Sequence, residues 1–238
     1  MTLLSDFVSS ERERFADEDN NKFALGFSQI SRYHLFLSLI LKRYEEASRA
    51  FFENTNAMQA TLLSGAHRLT DAQARLHEDG VRLNALVHLE IESYYLFAKI
   101  CLDKIAHALG FYFGQGRGQS LDSHDQLVKN FAAYAAEKSL ALPADFMRIA
   151  AALKKDISDY RDYEIAHEKS PRRLSGTVFD TEGRMQIAGI SLYPTKADQQ
   201  VESKVLHDLM RDLDTYIALV IELVRSNGKK TKLKRKES

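Results

Sequence analysis

The 238-residue chain has no tryptophan, one cysteine and three prolines, and its formal charges cancel, 33 Lys and Arg against 33 Asp and Glu. A single cysteine closes no internal disulfide and builds no multi-cysteine zinc or iron–sulfur site. That excludes a disulfide-stapled secreted module and fits a cytoplasmic protein. The opening residues Met1-Thr2-Leu3-Leu4-Ser5-Asp6 lack a basic leader followed by an apolar run, so no signal peptide is expected. Leu35 to Leu41 is too short to cross a bilayer. The apolar stretch from Leu83 to Phe113 is broken by Glu90, Glu92, Lys99, Asp103 and Lys104, so no membrane partner is expected either. What the chain does have is apolar material, 45% of its positions, enough to bury a sizeable core.

Prolines stand only at Pro143, Pro171 and Pro194, which leaves long stretches free of helix breakers. The pattern predicts an all-α fold, a helical bundle of five to seven helices. Its helical segments fall near 22–55, 56–78, 80–113, 123–140, 143–168 and 196–226. In the last of these, Val201, Val205, Leu209, Tyr216, Ile217, Val220 and Val224 recur at three- and four-residue steps and mark one apolar stripe facing a core. The 80–113 segment is apolar around most of its circumference, with Leu86, Leu89, Leu96, Phe97, Ile100 and Ile105, and suits a central helix surrounded by others. Near 172–193 the character changes. Thr177-Val178-Phe179 and Met185-Gln186-Ile187 flank Asp180-Thr181-Glu182-Gly183, which predicts a small β-hairpin or loop insertion on a single helical domain spanning 1–226.

Net neutrality conceals an asymmetry. Residues 227–238 carry Lys229, Lys230, Lys232, Lys234, Arg235 and Lys236 against Glu237, a net +5, leaving 27 basic and 32 acidic side chains before them, a net −5. Such a segment is expected to be a disordered basic tail that either touches phosphate backbones electrostatically or serves only as a solubilising terminus. It has no interleaved aromatics, so base stacking is not indicated.

Several chemical readings start from short motifs and lead nowhere. Gly114-Gln115-Gly116-Arg117-Gly118 clusters glycines, but it matches neither the Walker nor the dinucleotide pattern and follows no strand, so it reads as a connection between helices. Glu164-Ile165-Ala166-His167 offers Glu-x-x-His on a helix, yet a di-iron bundle needs a second copy and the chain has none. Cys101 lies in an apolar helix, where an inert buried thiol is the ordinary expectation. No metal and no cofactor are implied.

One stretch is more informative: Tyr160-Arg161-Asp162-Tyr163-Glu164-Ile165-Ala166-His167-Glu168-Lys169-Ser170-Pro171. An arginine, a polar residue after it and a histidine six places on, near the end of a helix in an all-α protein, resemble the Arg-x4–6-His motif of the HEPN superfamily. Arg161 and His167 occupy the motif ends and Asp162 the polar position. The resemblance implies a small helical bundle that dimerises so that both motifs face one cleft. In many members that cleft is a metal-independent endoribonuclease of toxin–antitoxin or phage-defence systems; other members bind nucleotides or proteins without catalysis. The N-terminal helices and the 172–193 insertion depart from a minimal bundle of this kind.

The residue types fit that chemistry. RNA cleavage by its own 2′-hydroxyl needs a base for that proton, an acid for the departing 5′-oxygen and cations around the phosphorane. Histidine titrates near neutrality, and a guanidinium holds two phosphate oxygens at once. Six residues of continuous α-helix leave Arg161 and His167 roughly 120° apart. The helix therefore loosens before Pro171, or a two-fold axis completes the cleft. Asp162, Tyr163 and Ser170 are candidate supporting residues, and Arg172 and Arg173, with the tail lysines and Arg235, are candidate RNA contacts. A plainer account stands beside this. Phe146, Leu153, Tyr160 and His167 recur every seven residues, so His167 also reads as the end of a core stripe, and Arg161 as a surface partner of Glu164. The sequence thus leaves two classes open: a homodimeric ribonuclease with an antitoxin or defence partner, and a non-catalytic module that binds a partner protein or nucleotide.

Overall fold

The computed structural model describes residues 3–61, 69–162, 172–181, 184–194 and 205–236, the two stretches between 172 and 194 by their backbone only. Among the described residues six α-helices form an all-α helical bundle: α1 (Leu3–Arg12), α2 (Asp17–Thr61), α3 (Asp71–Phe113), α4 (His124–Glu137), α5 (Phe146–Leu153) and α6 (Leu206–Ser226). The backbones of Arg172–Thr181 (β1) and Arg184–Pro194 (β2) run antiparallel, Arg172 opposite Pro194. Among the described residues no helix is long and apolar enough to cross a membrane.

The frame is a long αα-hairpin. α2 has 45 residues and α3 has 43, so each runs for about 65 Å at 1.5 Å per residue. Sequence reading divides this region into 22–55, 56–78 and 80–113, whereas α2 continues to Thr61 and α3 begins at Asp71. Polar bonds at the turn explain the difference. Thr70 and Gln73 form a capping box, the Gln73 backbone N–H donating to Thr70 Oγ1 and the Thr70 N–H to Gln73 Oε1. Gln73 Nε2 then donates to the Thr61 carbonyl at 3.0 Å, so one side chain starts α3 and satisfies an end carbonyl of α2. Gly80 lies inside α3 where α2 passes close by: a Cβ there would meet Asn54 Oδ1 at 2.8 Å. Asn54 in turn donates to the Leu76 carbonyl and clamps the two helices.

Two aromatic clusters fill the core. Phe7, Phe15, Phe23, Phe27 and Tyr112 are fully buried and meet at centroid distances of 4.9–6.2 Å, which fixes α1 and the start of α2 on the end of α3. Phe131, Tyr134, Phe146 and Tyr216 join α4, α5 and α6. Burying each such ring contributes about 1.5–3 kcal/mol. The predicted stripe of α6 is buried at Leu209, Tyr216, Ile217, Val220 and Val224, and the described helix starts at Leu206.

α3 is central but not surrounded. Tyr94, Tyr95, Ala98, Leu102, Ile105 and Leu109 are buried, while Leu86, Leu89 and Leu96 are 38%, 52% and 45% exposed. The described neighbours cover one side of the helix and leave these leucines bare.

The basic tail also departs from the sequence reading, which made it disordered. Asn227 is buried and its amide exchanges two hydrogen bonds with the Ala141 backbone, both at 2.8 Å. Beyond a 3-10 turn (Gly228–Lys230), Thr231 Oγ1 and the Lys232 N–H both donate to the Tyr112 carbonyl, one of the end carbonyls that α3 cannot satisfy itself. Leu233 is buried. The Lys234 N–H donates to Asp19 Oδ2, the Ala16 N–H to the Lys234 carbonyl and the Lys236 N–H to the Arg14 carbonyl, with Arg235 bridged to Phe15. Charge counting missed this because much of the attachment comes from uncharged groups of the tail: backbone amides and carbonyls, the Asn227 amide, the Thr231 hydroxyl and the Leu233 side chain. The packed unit therefore extends through Lys236 rather than ending at 226.

Candidate functional site

The segment carrying Arg161 is not an ordinary helix. α5 passes at Lys154 into π turns that run through Asp159, whose bonds reach from i to i+5. Lys154 Nζ and Asp159 Oδ1, five residues apart, pair at 2.7 Å in keeping with that wider turn. Widening the turn also widens the buried face, so that Ile157, Ser158 and Tyr160 are all buried. Tyr160 stacks on Tyr95 of α3, centroids 4.5 Å apart and planes inclined by 29°, and holds this segment to the centre of the bundle.

Arg161 follows directly. Its side chain is 27% exposed, one guanidinium nitrogen lies 2.6 Å from Asp162 Oδ1, and its Nε is buried with no hydrogen-bond partner among the described residues. A guanidinium held in this way has one edge engaged by a carboxylate and keeps its charge half out of solvent. The structure thus brings Arg161 and Asp162 together. His167, Tyr163, Ser170 and the Glu164 of the plainer account lie outside the described residues, and Arg172 and Arg173 are placed in β1 by backbone alone.

A partly buried polar cluster that the sequence reading did not single out lies where α3, α4 and α6 meet. Lys99 Nζ contacts Asp103 Oδ1 at 2.7 Å and Asp125 Oδ2 at 3.3 Å, and Asp103 also accepts the His124 backbone N–H at 2.8 Å. His124 is fully buried. Its Nε2 is 3.3 Å from the Tyr216 hydroxyl, and its Nδ1 has no hydrogen-bond partner among the described residues. Burial pushes the imidazole down to about 4, aided by the positive charge of Lys99 and, more weakly, of Lys154. His124 is therefore neutral at pH 7, and no surface reaches it. The cluster ties three helices together and pairs the buried Lys99 ammonium with two carboxylates. Lys99 and Asp103, one helical turn apart within an apolar helix, were the signal available in the sequence.

The glycine-rich connection has a packing explanation. A Cβ on Gly116 would lie 2.7 Å from the Tyr134 ring, Gly114 and Gly118 have φ of +86° and +71°, and Tyr134 donates its hydroxyl hydrogen to the Gly114 carbonyl at 2.6 Å. Lys138 Nζ donates to the Gln115 carbonyl and Lys230 Nζ to the Ser139 carbonyl, while Lys232 Nζ sits 5.2 Å from the centre of the Phe111 ring. Lys229, Lys230, Lys232, Lys234, Arg235 and Lys236 are all exposed on this end of the bundle, attached through their backbone as described. Among the described residues no three His, Cys, Asp or Glu side chains are grouped to hold a metal ion.

Comparison of the chain with protein-family models, with curated proteins and with solved structures gives no match.

Proposed function

We propose that this chain is a metal-independent endoribonuclease of HEPN type that works as a homodimer in the cytoplasm, in toxin–antitoxin or phage defence. The observation that carries the reading is Arg161: a half-buried guanidinium at the end of a π-turned segment anchored by the Tyr95–Tyr160 stack, six residues before His167. π turns occur disproportionately at functional positions. In the proposed reaction the 2′-oxygen bonds to phosphorus and the bond from phosphorus to the 5′-oxygen breaks. One His167 takes the 2′-hydroxyl proton, the partner's His167 protonates the leaving 5′-oxygen, and Arg161 neutralises the growing charge on the phosphoryl oxygens. A cyclic phosphate and a 5′-hydroxyl result. Asp162 orients Arg161, with Tyr163 and Ser170 as supporting groups. Arg172, Arg173 and the exposed cations of the docked tail add non-specific hold on RNA. The antiparallel strands β1 and β2 are the small insertion of this reading.

Incubating the protein with RNA in EDTA tests it. The expected result is cleavage to cyclic-phosphate ends by wild type and a loss of at least 100-fold in Arg161→Ala and His167→Ala, in line with general acid–base contributions of about 10²–10⁴. No cleavage by wild type, or equal cleavage by the variants, rejects it.

A second reading has its own support. Arg161 is already paired with Asp162, and an ion pair of adjacent residues is a complete structural role. On that reading the chain is a non-catalytic helical module that binds a partner protein or a nucleotide.

A further inference from the structure

The leucines left bare on α3 fall at a particular spacing. Leu86, Leu89, Ser93, Leu96 and Ile100 repeat at intervals of three, four, three and four, the seam of a helix that packs against another helix. Among the described residues no helix fills that seam, since Leu86, Leu89 and Leu96 remain exposed. α2 contributes Leu35 and Leu39, 56% and 52% exposed, one turn apart. Between the two helices lies a cavity of about 260 Å³ lined by Phe36, Leu39, Arg43, Glu90, Ser93 and Phe97. Phe36 and Phe97 meet edge to face at 5.7 Å, with Tyr33 beside them, and give the floor a fixed aromatic surface.

Glu90 makes this more than a greasy face. It is 3% exposed, one carboxylate oxygen accepts from Arg43, and the other, Oε2, is buried with no hydrogen-bond partner among the described residues. A buried carboxylate oxygen without a donor is costly, and a cation from outside removes the cost by charge-assisted hydrogen bonding. Seam spacing specifies the shape of the occupant and Glu90 its charge. We propose that the α2–α3 groove binds an amphipathic helix of a partner protein, its leucine-type side chains meshing with Leu86, Leu89 and Leu96 and one lysine or arginine reaching Glu90.

This inference is independent of the ribonuclease reading and gives the partner-binding reading a chemical identity. RNA cleavage reports on Arg161 and His167, helix binding on Leu89 and Glu90, so either fails without the other. The test uses the full chain and three fluorescent 21-residue helical peptides with leucines at seam spacing, differing only in a central Lys, Gln or Glu, read by anisotropy. The expected result is that the Lys peptide binds wild type at least tenfold tighter than the other two, that Leu89→Lys abolishes binding, and that Glu90→Gln erases the preference for Lys. Leu89 is half exposed, so that variant keeps its fold, and the three-peptide comparison needs wild type alone. No binding, or equal binding of all three peptides, overturns the proposal. Sedimentation of the protein by itself supplies one more decisive outcome: a dimer that Leu89→Lys converts to monomer assigns the groove to a second copy and overturns it too.

Discussion

The Lys234 backbone N–H and the Asp19 carboxylate, 215 positions apart in the chain, are joined by a 2.7 Å hydrogen bond that closes the last residues onto the first long helix. Asp19 also pairs with Lys22 Nζ at 3.0 Å. The Lys234 N–H, and after it the Lys22 ammonium, hold this carboxyl below its ordinary value of 3.8. A group whose folded pKa is depressed stabilises the fold above its unfolded pKa and ceases to do so as pH falls through the folded one. This bond is therefore expected to hold fully at neutral pH and to weaken in acid, as pH falls below the ordinary carboxylate value of 3.8 and through the lowered one. Asp19→Ala loosens the last residues of the tail at pH 7, with a cost of about 1–3 kcal/mol for a bond to a charged acceptor. Limited trypsin digestion measures this: cleavage at Lys234 and Arg235 accelerates in the variant, and an unchanged rate contradicts the docking.

His124 makes stability depend on pH in another window. Its folded pKa near 4 lies below the ordinary 6.5, so between these values the unfolded chain binds a proton that the folded one refuses. Stability falls as pH drops through this range, by about 1.4 kcal/mol per unit from this group. Urea midpoints at pH 7 and pH 5 show the loss, and His124→Asn flattens the difference between them.

Gly116 and Gly118 of the connection are expected to respond differently to alanine. Gly116→Ala drives a methyl into the Tyr134 ring and costs about 1–3 kcal/mol, as overpacking does. Gly118→Ala meets nothing within 4 Å and pays only for its φ of +71°, about 1–2 kcal/mol. Denaturant titration together with the near-ultraviolet signal of Tyr134 separates the cases, because only the first disturbs the ring.

Removing the Tyr160 ring takes the anchor from the Arg161 segment. Tyr160→Ala is expected to destabilise the protein by about 3–5 kcal/mol, while Tyr160→Phe keeps the stack on Tyr95 and loses far less. Thermal melts compare the two, and equal losses would mean that ring stacking is not what holds the segment.

Cys101 is fully buried, and burial pushes its thiol up to about 12. It is expected to resist a thiol reagent in the native protein at pH 8 and to react at once in urea. Rapid native labelling would show that α3 opens.

How far these features were readable varied with the range of the interaction behind them. The apolar stripe of α6, the buried line Phe146, Leu153 and Tyr160, and the burial of Cys101 follow from local periodicity. The length of α2 and α3 did not, because their ends are set by the Thr70–Gln73 capping box and by the bond from Gln73 to the Thr61 carbonyl, contacts that join the two helices. Arg161 and Asp162 were legible as adjacent polar residues, whereas the π turns before them have no residue signature. The cluster of Lys99, Asp103, His124 and Asp125 draws on residues from two helices, and neither half is distinctive alone.

Composition and spacing by themselves determined a mostly helical chain, faces that its helices bury and the residue types available for chemistry, because helix formation and amphipathic patterning are set by neighbours within a turn or two. Only the tertiary structure decided which apolar residues find cover and which lysines are held in place. Leu89 stays exposed while Val87 is buried, and the basic tail lies along Asp19 and Tyr112, because burial and hydrogen-bond satisfaction depend on surfaces brought together from distant parts of the chain.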